Sequence, residues 1–110
     1  LGLSGLVIDG TIRDSSEIVE LGFSVFSLGT HPAATKKTDP GEIDVPIVCG
    51  DVNVNPDDII IADDDGVVVI PNLLVEEVFL GLMTVIKNEE KIMKRLKNGE
   101  TTCDIFKIKT

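Results

Sequence analysis

An α/β fold is predicted for this 110-residue chain by three features. A strand–helix–strand pattern opens it, closely spaced short β segments fill its middle, and one long helical pattern comes near its end. The expected architecture is a small mixed β core with a long C-terminal helix. At this length the chain is one domain at most, spanning residues 1–110, with room for a single modest core.

The opening run Leu3–Ile8 is apolar and meets Asp9-Gly10, as a buried strand would. Asp14 precedes Glu17 by three positions, ahead of Ile18, Val19 and Leu21, in the manner of a capping box. A short helix is therefore expected from about Ser15 to Leu21, stopped by Gly22. Phe23–Leu28 is a second buried strand. Strand, helix and strand within so few residues make a βαβ unit, so the two strands should run parallel.

Residues 29–41 form a loop broken by Pro32, Pro40 and Gly41, and carrying His31, Lys36 and Lys37. Short β runs follow at Asp44–Cys49, Val52–Val54, Ile59–Ala62 and Val67–Ile70. Asp65-Gly66, between the last two, is a hairpin signal because both residues tolerate positive φ. Pro71-Asn72 opens a long helix over about 72–98, ended by Gly99. Ten of the fourteen residues from Leu73 to Ile86 are apolar. That half calls for cover nearly all round, from a sheet and from another subunit, so self-association is expected. A short tail, residues 101–110, carries Ile105, Phe106 and Ile108.

Apolar residues make up 43% and aromatic residues 4% of the chain, with no Trp or Tyr, so Ile, Val and Leu must do the packing. The formal charge is −9 and the isoelectric point about 4.4. That balance argues against nucleic acid and against anionic membrane surfaces, both of which need clustered Lys and Arg. Lys87, Lys91, Lys94, Arg95 and Lys97 mix with Glu89 and Glu90 and read as a solvated helix face. Cys49 and Cys103 are far apart and fit no metal spacing, so free thiols in a reducing cytoplasm are expected. Neither a leader peptide nor a membrane span is recognisable. The first residue is Leu1 rather than Met, as in a fragment, a processed product or a domain cut from a longer protein.

The most suggestive chemistry lies at Asp9-Gly-Thr-Ile-Arg-Asp14, where a strand ends and a helix begins. Ligands collect at the carboxyl ends of strands in α/β sheets, and helix N-termini offer free amides. Arg13 is suited to clamping an anionic substrate, and Asp14 to holding a cation. The competing reading, favoured by how common capping is, makes Asp14 an N-cap and Arg13 a surface ion-pair partner. Asp63-Asp64-Asp65 and Asp57-Asp58 are acidic clusters, but they flank turns, where Asp is favoured for backbone reasons. His31 has no Ser, Cys or second His at a recognisable spacing and reads as a surface-loop histidine. Ser15, Ser16 and Cys49 lack an identifiable base.

Taken together, several stretches resemble one family. Gly5-Leu-Val-Ile-Asp-Gly-Thr-Ile-Arg-Asp14, then Glu17-Ile and Leu21-Gly-Phe-Ser-Val-Phe26, is similar to the signature of the RraA family. These are the regulator-of-ribonuclease-E-like proteins, which include metal-dependent 4-hydroxy-4-methyl-2-oxoglutarate aldolases. The likeness continues in order through Thr30-His-Pro32, Val45-Pro-Ile-Val-Cys-Gly50, Val54-Asn-Pro-Asp-Asp58 and Ala62-Asp-Asp-Asp-Gly-Val-Val-Val-Ile-Pro71. The helix and basic tail beyond it also resemble archaeal members fused behind a hexulose-phosphate synthase.

The resemblance implies a swivelling ββα-type domain assembled as a homotrimer or hexamer. It further implies a lyase that releases pyruvate from a small α-keto acid, such as 4-hydroxy-4-methyl-2-oxoglutarate or oxaloacetate. The family's substrate-binding arginine falls on Arg13, and its ligand for Mg²⁺ or Mn²⁺ falls on Asp14, with Asp9 and Asp63 as supporting or turn residues only. Set against the family, the chain is expected to be an N-terminally truncated, C-terminal portion. It lacks the Gly-Asp loop whose amides hold the pyruvate moiety, and is therefore expected to be inactive alone. The family's Gly-Gly is Gly50-Asp51 here and its Pro-Gly-Asp is Pro56-Asp57-Asp58, so local change is expected at both turns. The alternative is a non-catalytic module that binds a protein partner, as the ribonuclease E inhibitors do, or an accessory domain of a synthase fusion.

Overall fold

The structure, a computed structural model, describes residues 2–36, 38 and 40–108. Lys37 and the last two residues of the tail lie outside the described residues. The chain divides into two units, Leu1–Asn72 and Leu73–Thr110. The fold is mixed α/β with small sheets and a long C-terminal helix, as the pattern predicts.

In the first unit, β1 (Gly5–Ile12) and β2 (Ser24–Thr30) pair in parallel, joined through helix α1 (Ser15–Glu20), which packs on β2. The expected end of the first strand at Asp9-Gly10 is not a break. The strand carries on to Ile12, with a register shift between Ile8 and Thr11 that absorbs Gly10. The tight turn falls later, at Asp14, whose backbone is left-handed with φ 58° and ψ 37°.

Two hairpins follow. β3 (Ile47–Cys49) and β4 (Val52–Val54) are antiparallel, with Cys49 opposite Val52 across the two-residue turn Gly50-Asp51. Both turn residues have positive φ, 56° and 62°, the combination that matches strand twist in a two-residue hairpin. Asp51 therefore takes up the left-handed backbone that glycine adopts freely, and Asp57 does the same with φ 71°. β5 (Ile59–Asp63) and β6 (Gly66–Ile70) form the second hairpin. Its turn is Asp64-Asp65, one residue earlier than expected. The Asp63 Oδ1 accepts the amides of Asp65 at 2.9 Å and Gly66 at 3.3 Å and closes the turn by itself.

Asp58 ties the start of this hairpin to its end. Its Oδ2 accepts the Asn55 amide at 2.8 Å and its Oδ1 accepts the Asn72 amide at 3.0 Å. These donors hold the Asp58 carboxyl below its ordinary value, the Asn55 amide first and the Asn72 amide second.

The strands are not buried, contrary to the expectation from their apolar runs. No described residue is buried, and Ile59, Ile60 and Val67 are each about two-fifths exposed. The reason is topological. Among the described residues six strands form three separate two-stranded sheets. Their apolar sides line an open concavity of about 1060 Å³ instead of closing on one another.

In the second unit, a 3₁₀ turn (Asn72–Leu74) leads into α2 (Val75–Lys97), and α3 (Thr102–Phe106) follows. Glu76 and Glu77 in the first turn of α2, and Lys94, Arg95 and Lys97 in its last, complement the helix dipole. Arg95 closes the helix end by a bidentate pair with Glu100, donating from Nε to Oε1 at 3.1 Å and from Nη2 to Oε2 at 2.6 Å. Glu100 is consequently held below its ordinary carboxyl value and Arg95 above its own, in each case chiefly by the hydrogen bond between them. Within the short tail, Thr102–Phe106 forms α3 because Thr101 and Asp104 make a reciprocal capping box. The apolar half of α2 stays exposed: Phe79 by 59% and Leu80 by 69%. Among the described residues no helix is long and apolar enough to cross a membrane.

Candidate functional site

Parallel pairing determines what sits together at the mouth of the first sheet. Ile12 lies opposite Thr30, and the His31 amide donates to the Ile12 carbonyl at 2.8 Å. The residues that leave the two strands at their carboxyl ends are therefore neighbours. Arg13, Asp14, Thr30, His31 and Pro32 line a cleft of about 340 Å³, in the location that favours ligand binding in parallel sheets.

Asp14 occupies the N-cap position of α1, but its side chain makes no capping hydrogen bond. The expected capping box with Glu17 is not formed. With the backbone left-handed, the carboxylate lies 3.3 Å from Arg13 Nε. Both side chains are open to solvent, by 54% for Arg13 and 67% for Asp14, so the contact is worth little in stability, roughly 0–1 kcal/mol. Among the described residues the Nη groups of Arg13 carry no hydrogen bond, which leaves its planar fork available for a carboxylate.

His31 was read from sequence as a bland loop residue, and the structure brings it into the cleft. Its Nδ1 accepts the Ala33 amide at 3.1 Å, which assigns the proton of the neutral ring to Nε2. The signal that locates it is the βαβ pattern. Once two strands are known to be parallel, the residues just past their ends are neighbours, however far apart in sequence.

Asp9 and Asp63 are not in this cleft. Both line the larger concavity. Asp63 is committed to its turn, while Asp9 Oδ2 accepts the Gly50 amide at 3.0 Å. Asp64 and Asp65 also belong to the hairpin. Cys49 and Cys103 are free thiols. Among the described residues no three His, Cys, Asp or Glu side chains converge as a metal cage. The cleft's carboxylate donor is Asp14 alone. A hard cation that keeps most of its waters and takes one or two carboxylates fits that donor set, whereas a dehydrated, fully caged ion does not.

The model of the RraA-like family (Aldolase/RraA) matches residues 1–69. A Halalkalibacterium halodurans protein named "Putative 4-hydroxy-4-methyl-2-oxoglutarate aldolase" is 52% identical over 71 residues, covering 64% of this chain and 34% of that protein. An uncharacterized protein of Methanocaldococcus jannaschii is 37% identical over 107 residues, covering 97% of this chain and 51% of its own length. Among solved structures, an uncharacterized protein from Pseudomonas syringae superposes with a TM-score of 0.84 at 31% identity, over 91% of this chain and 47% of that one. The chain thus spans about half the length of these relatives, or less. The stretch that carries the cleft, β1 through Pro32, lies within the residues matched by the family model, and the chain belongs to the RraA-like family.

Proposed function

We propose that the cleft is the substrate half of a metal-dependent lyase site that releases pyruvate from an α-keto acid. The observation that carries this reading is the Arg13–Asp14 turn. A left-handed aspartate whose side chain makes no cap stands beside an arginine that meets it through Nε and keeps its Nη groups free of hydrogen bonds among the described residues, at the carboxyl end of a parallel strand pair. Asp51 and Asp57 share that backbone region in ordinary turns, so what sets Asp14 apart is a carboxylate free of any side-chain cap beside Arg13. The substrate class comes from relatives named as 4-hydroxy-4-methyl-2-oxoglutarate aldolases, and oxaloacetate has the same α-keto carboxylate end.

In this reading Arg13 binds the α-keto acid carboxylate through its Nη groups. Asp14 would hold Mg²⁺ or Mn²⁺ through its carboxylate. When bound, the cation stabilises the negative charge that develops on the keto oxygen as the C–C bond breaks. His31 offers Nε2–H as a donor to a substrate oxygen, its ring held by the Ala33 amide. The family resemblance implies backbone amides that hold the pyruvate moiety, and donors of that kind complete the pocket in this account. Each such donor is worth roughly 3–4 kcal/mol in comparable anion-stabilising sites, so the chain alone is expected to turn over little or no substrate.

Pyruvate release from oxaloacetate and from 4-hydroxy-4-methyl-2-oxoglutarate, with and without EDTA, tests the reading in a longer protein that contains this stretch. Asp14→Asn is the informative variant, because Asn tolerates the left-handed backbone as Asp does. A loss of more than about tenfold is expected, and unchanged activity refutes the metal role. Assembly belongs to the same proposal. The exposed apolar half of α2 supports self-association, the family resemblance supplies the homotrimer or hexamer, and light scattering that shows only monomer at micromolar concentration rules this out.

A second reading is a non-catalytic module that binds a protein partner. The charge distribution favours it: residues 1–72 carry thirteen acidic and three basic side chains, a formal charge of −10. Such a field attracts a basic protein surface. Absence of lyase activity in the longer protein, with stable co-purification of a basic partner, selects this reading over the first.

A further inference from the structure

We infer that His31 is a specificity-determining residue of the cleft. Its Nε2–H forms a second anion subsite, which takes the far carboxylate of a dicarboxylic α-keto acid while Arg13 takes the near one. The inference rests on the reading of the cleft as an α-keto acid site.

Three observations carry it. The first is the atom that the ring has left to offer. The Ala33 amide donates to Nδ1 at 3.1 Å, so the neutral ring keeps its proton on Nε2. A metal at Nε2 would need the lone pair that this proton occupies. His31 is therefore fitted to an anionic ligand oxygen, and the cation is left to Asp14.

The second is placement. Arg13 follows β1 and His31 follows β2, and the His31 amide donates to the Ile12 carbonyl at 2.8 Å. The two residues thus leave neighbouring strand ends and line one cleft. Neighbouring strands lie about 4.8 Å apart. A short acid with a carboxylate at each end can bridge that gap, and an acid with one carboxylate engages one side only. The cleft, of about 340 Å³, is at the small end of ligand pockets and suits an acid of this size.

The third is charge. Asp14 is the carboxylate that lines the cleft and Arg13 the guanidinium. With a divalent cation on Asp14, positive charge exceeds negative by two. Two ligand carboxylates balance that excess and one does not.

The test titrates the ¹⁵N-labelled 110-residue chain, in Mg²⁺, with millimolar 2-oxoglutarate and with 2-oxovalerate, which has the same carbon chain without the second carboxylate. Shifts of the amides of residues 13–14 and 30–31 read binding. A preference for 2-oxoglutarate of about fivefold or more is expected, the effect of one hydrogen bond to a charged group. His31→Ala should cut that preference to about twofold or less by weakening 2-oxoglutarate alone. His31→Gln, which keeps an N–H donor, should restore most of it. Equal affinities in the unaltered chain, or a preference unmoved by His31→Ala, overturn the inference and leave the α-keto acid reading standing. Weakening of both acids alike by His31→Ala makes the ring structural and also overturns it. If neither acid moves the cleft amides, the α-keto acid reading fails and this inference fails with it.

Discussion

The Asp9 carboxylate accepts the Gly50 amide across 41 residues of sequence. It is the side-chain link between the parallel pair β1–β2 and the β3–β4 hairpin, two sheets that share no ladder. Asp9 thus works as a structural tie between sheets while Arg13 and Asp14, four and five residues on, are left for the cleft.

Removing this tie should be local in effect. In Asp9→Ala the Gly50 amide is expected to exchange about fivefold faster, the equivalent of about 1 kcal/mol for one hydrogen bond to an exposed amide. The pairing of Ile47 with Val54 should persist, since its ladder does not involve Asp9. Hydrogen exchange followed by NMR distinguishes this from a general loosening, in which β5–β6 amides would speed up as well.

Asp58 should show a pH dependence with a definite sign. Its carboxyl is held below the ordinary value by the Asn55 and Asn72 amides. A group depressed in the folded state contributes stability that is complete above its unfolded pKa and is lost as pH falls through the lower, folded value. The Asn55 and Asn72 amide resonances are therefore expected to titrate together, with a midpoint below the usual aspartate range. Asp58→Asn should abolish that shared transition. Two different midpoints, or one at the ordinary value, would contradict the two hydrogen bonds that Asp58 accepts from these amides.

Two glycines should respond to alanine in opposite directions. A Cβ at Gly81, within α2, meets nothing within 4 Å, so Gly81→Ala is expected to raise helix stability by about 0.5–1 kcal/mol. A Cβ at Gly5 would come within 2.9 Å of the Ser24 carbonyl oxygen, and the backbone on both sides must give. Gly5→Ala is expected to cost roughly 1–3 kcal/mol and to loosen the β1–β2 register. Far-UV circular dichroism against temperature checks the first, and amide exchange at Leu6 and Val7 the second.

Much of the backbone was legible because its signals are local. The βαβ opening, the short β runs, the β5–β6 hairpin and the long helix follow from apolar period and from Gly, Asn, Asp and Pro at the breaks. The misplacements have local causes too. Asp65-Gly66 reads as a turn, but Asp63 reaches the next amides first and moves the turn back by one residue. Gly10 reads as a strand end, but a bulge absorbs it and the left-handed residue is Asp14.

What pattern alone did not show is the packing. Apolar strands predict burial only if something faces them, and three unconnected two-stranded sheets leave theirs open. His31 was missed for a related reason, since its place beside Arg13 follows from pairing between strands and from no motif of its own.

The central claim, that Asp14 is a cation ligand in a cleft shared with Arg13, Thr30 and His31, is tested most directly by titrating Mn²⁺ into the ¹⁵N-labelled chain. Paramagnetic broadening should appear first at the amides of residues 13–14 and 30–31, reverse with EDTA, and disappear in Asp14→Asn. Broadening that begins at Asp63–Asp65 or Asp57–Asp58, or that survives Asp14→Asn unchanged, would contradict the account.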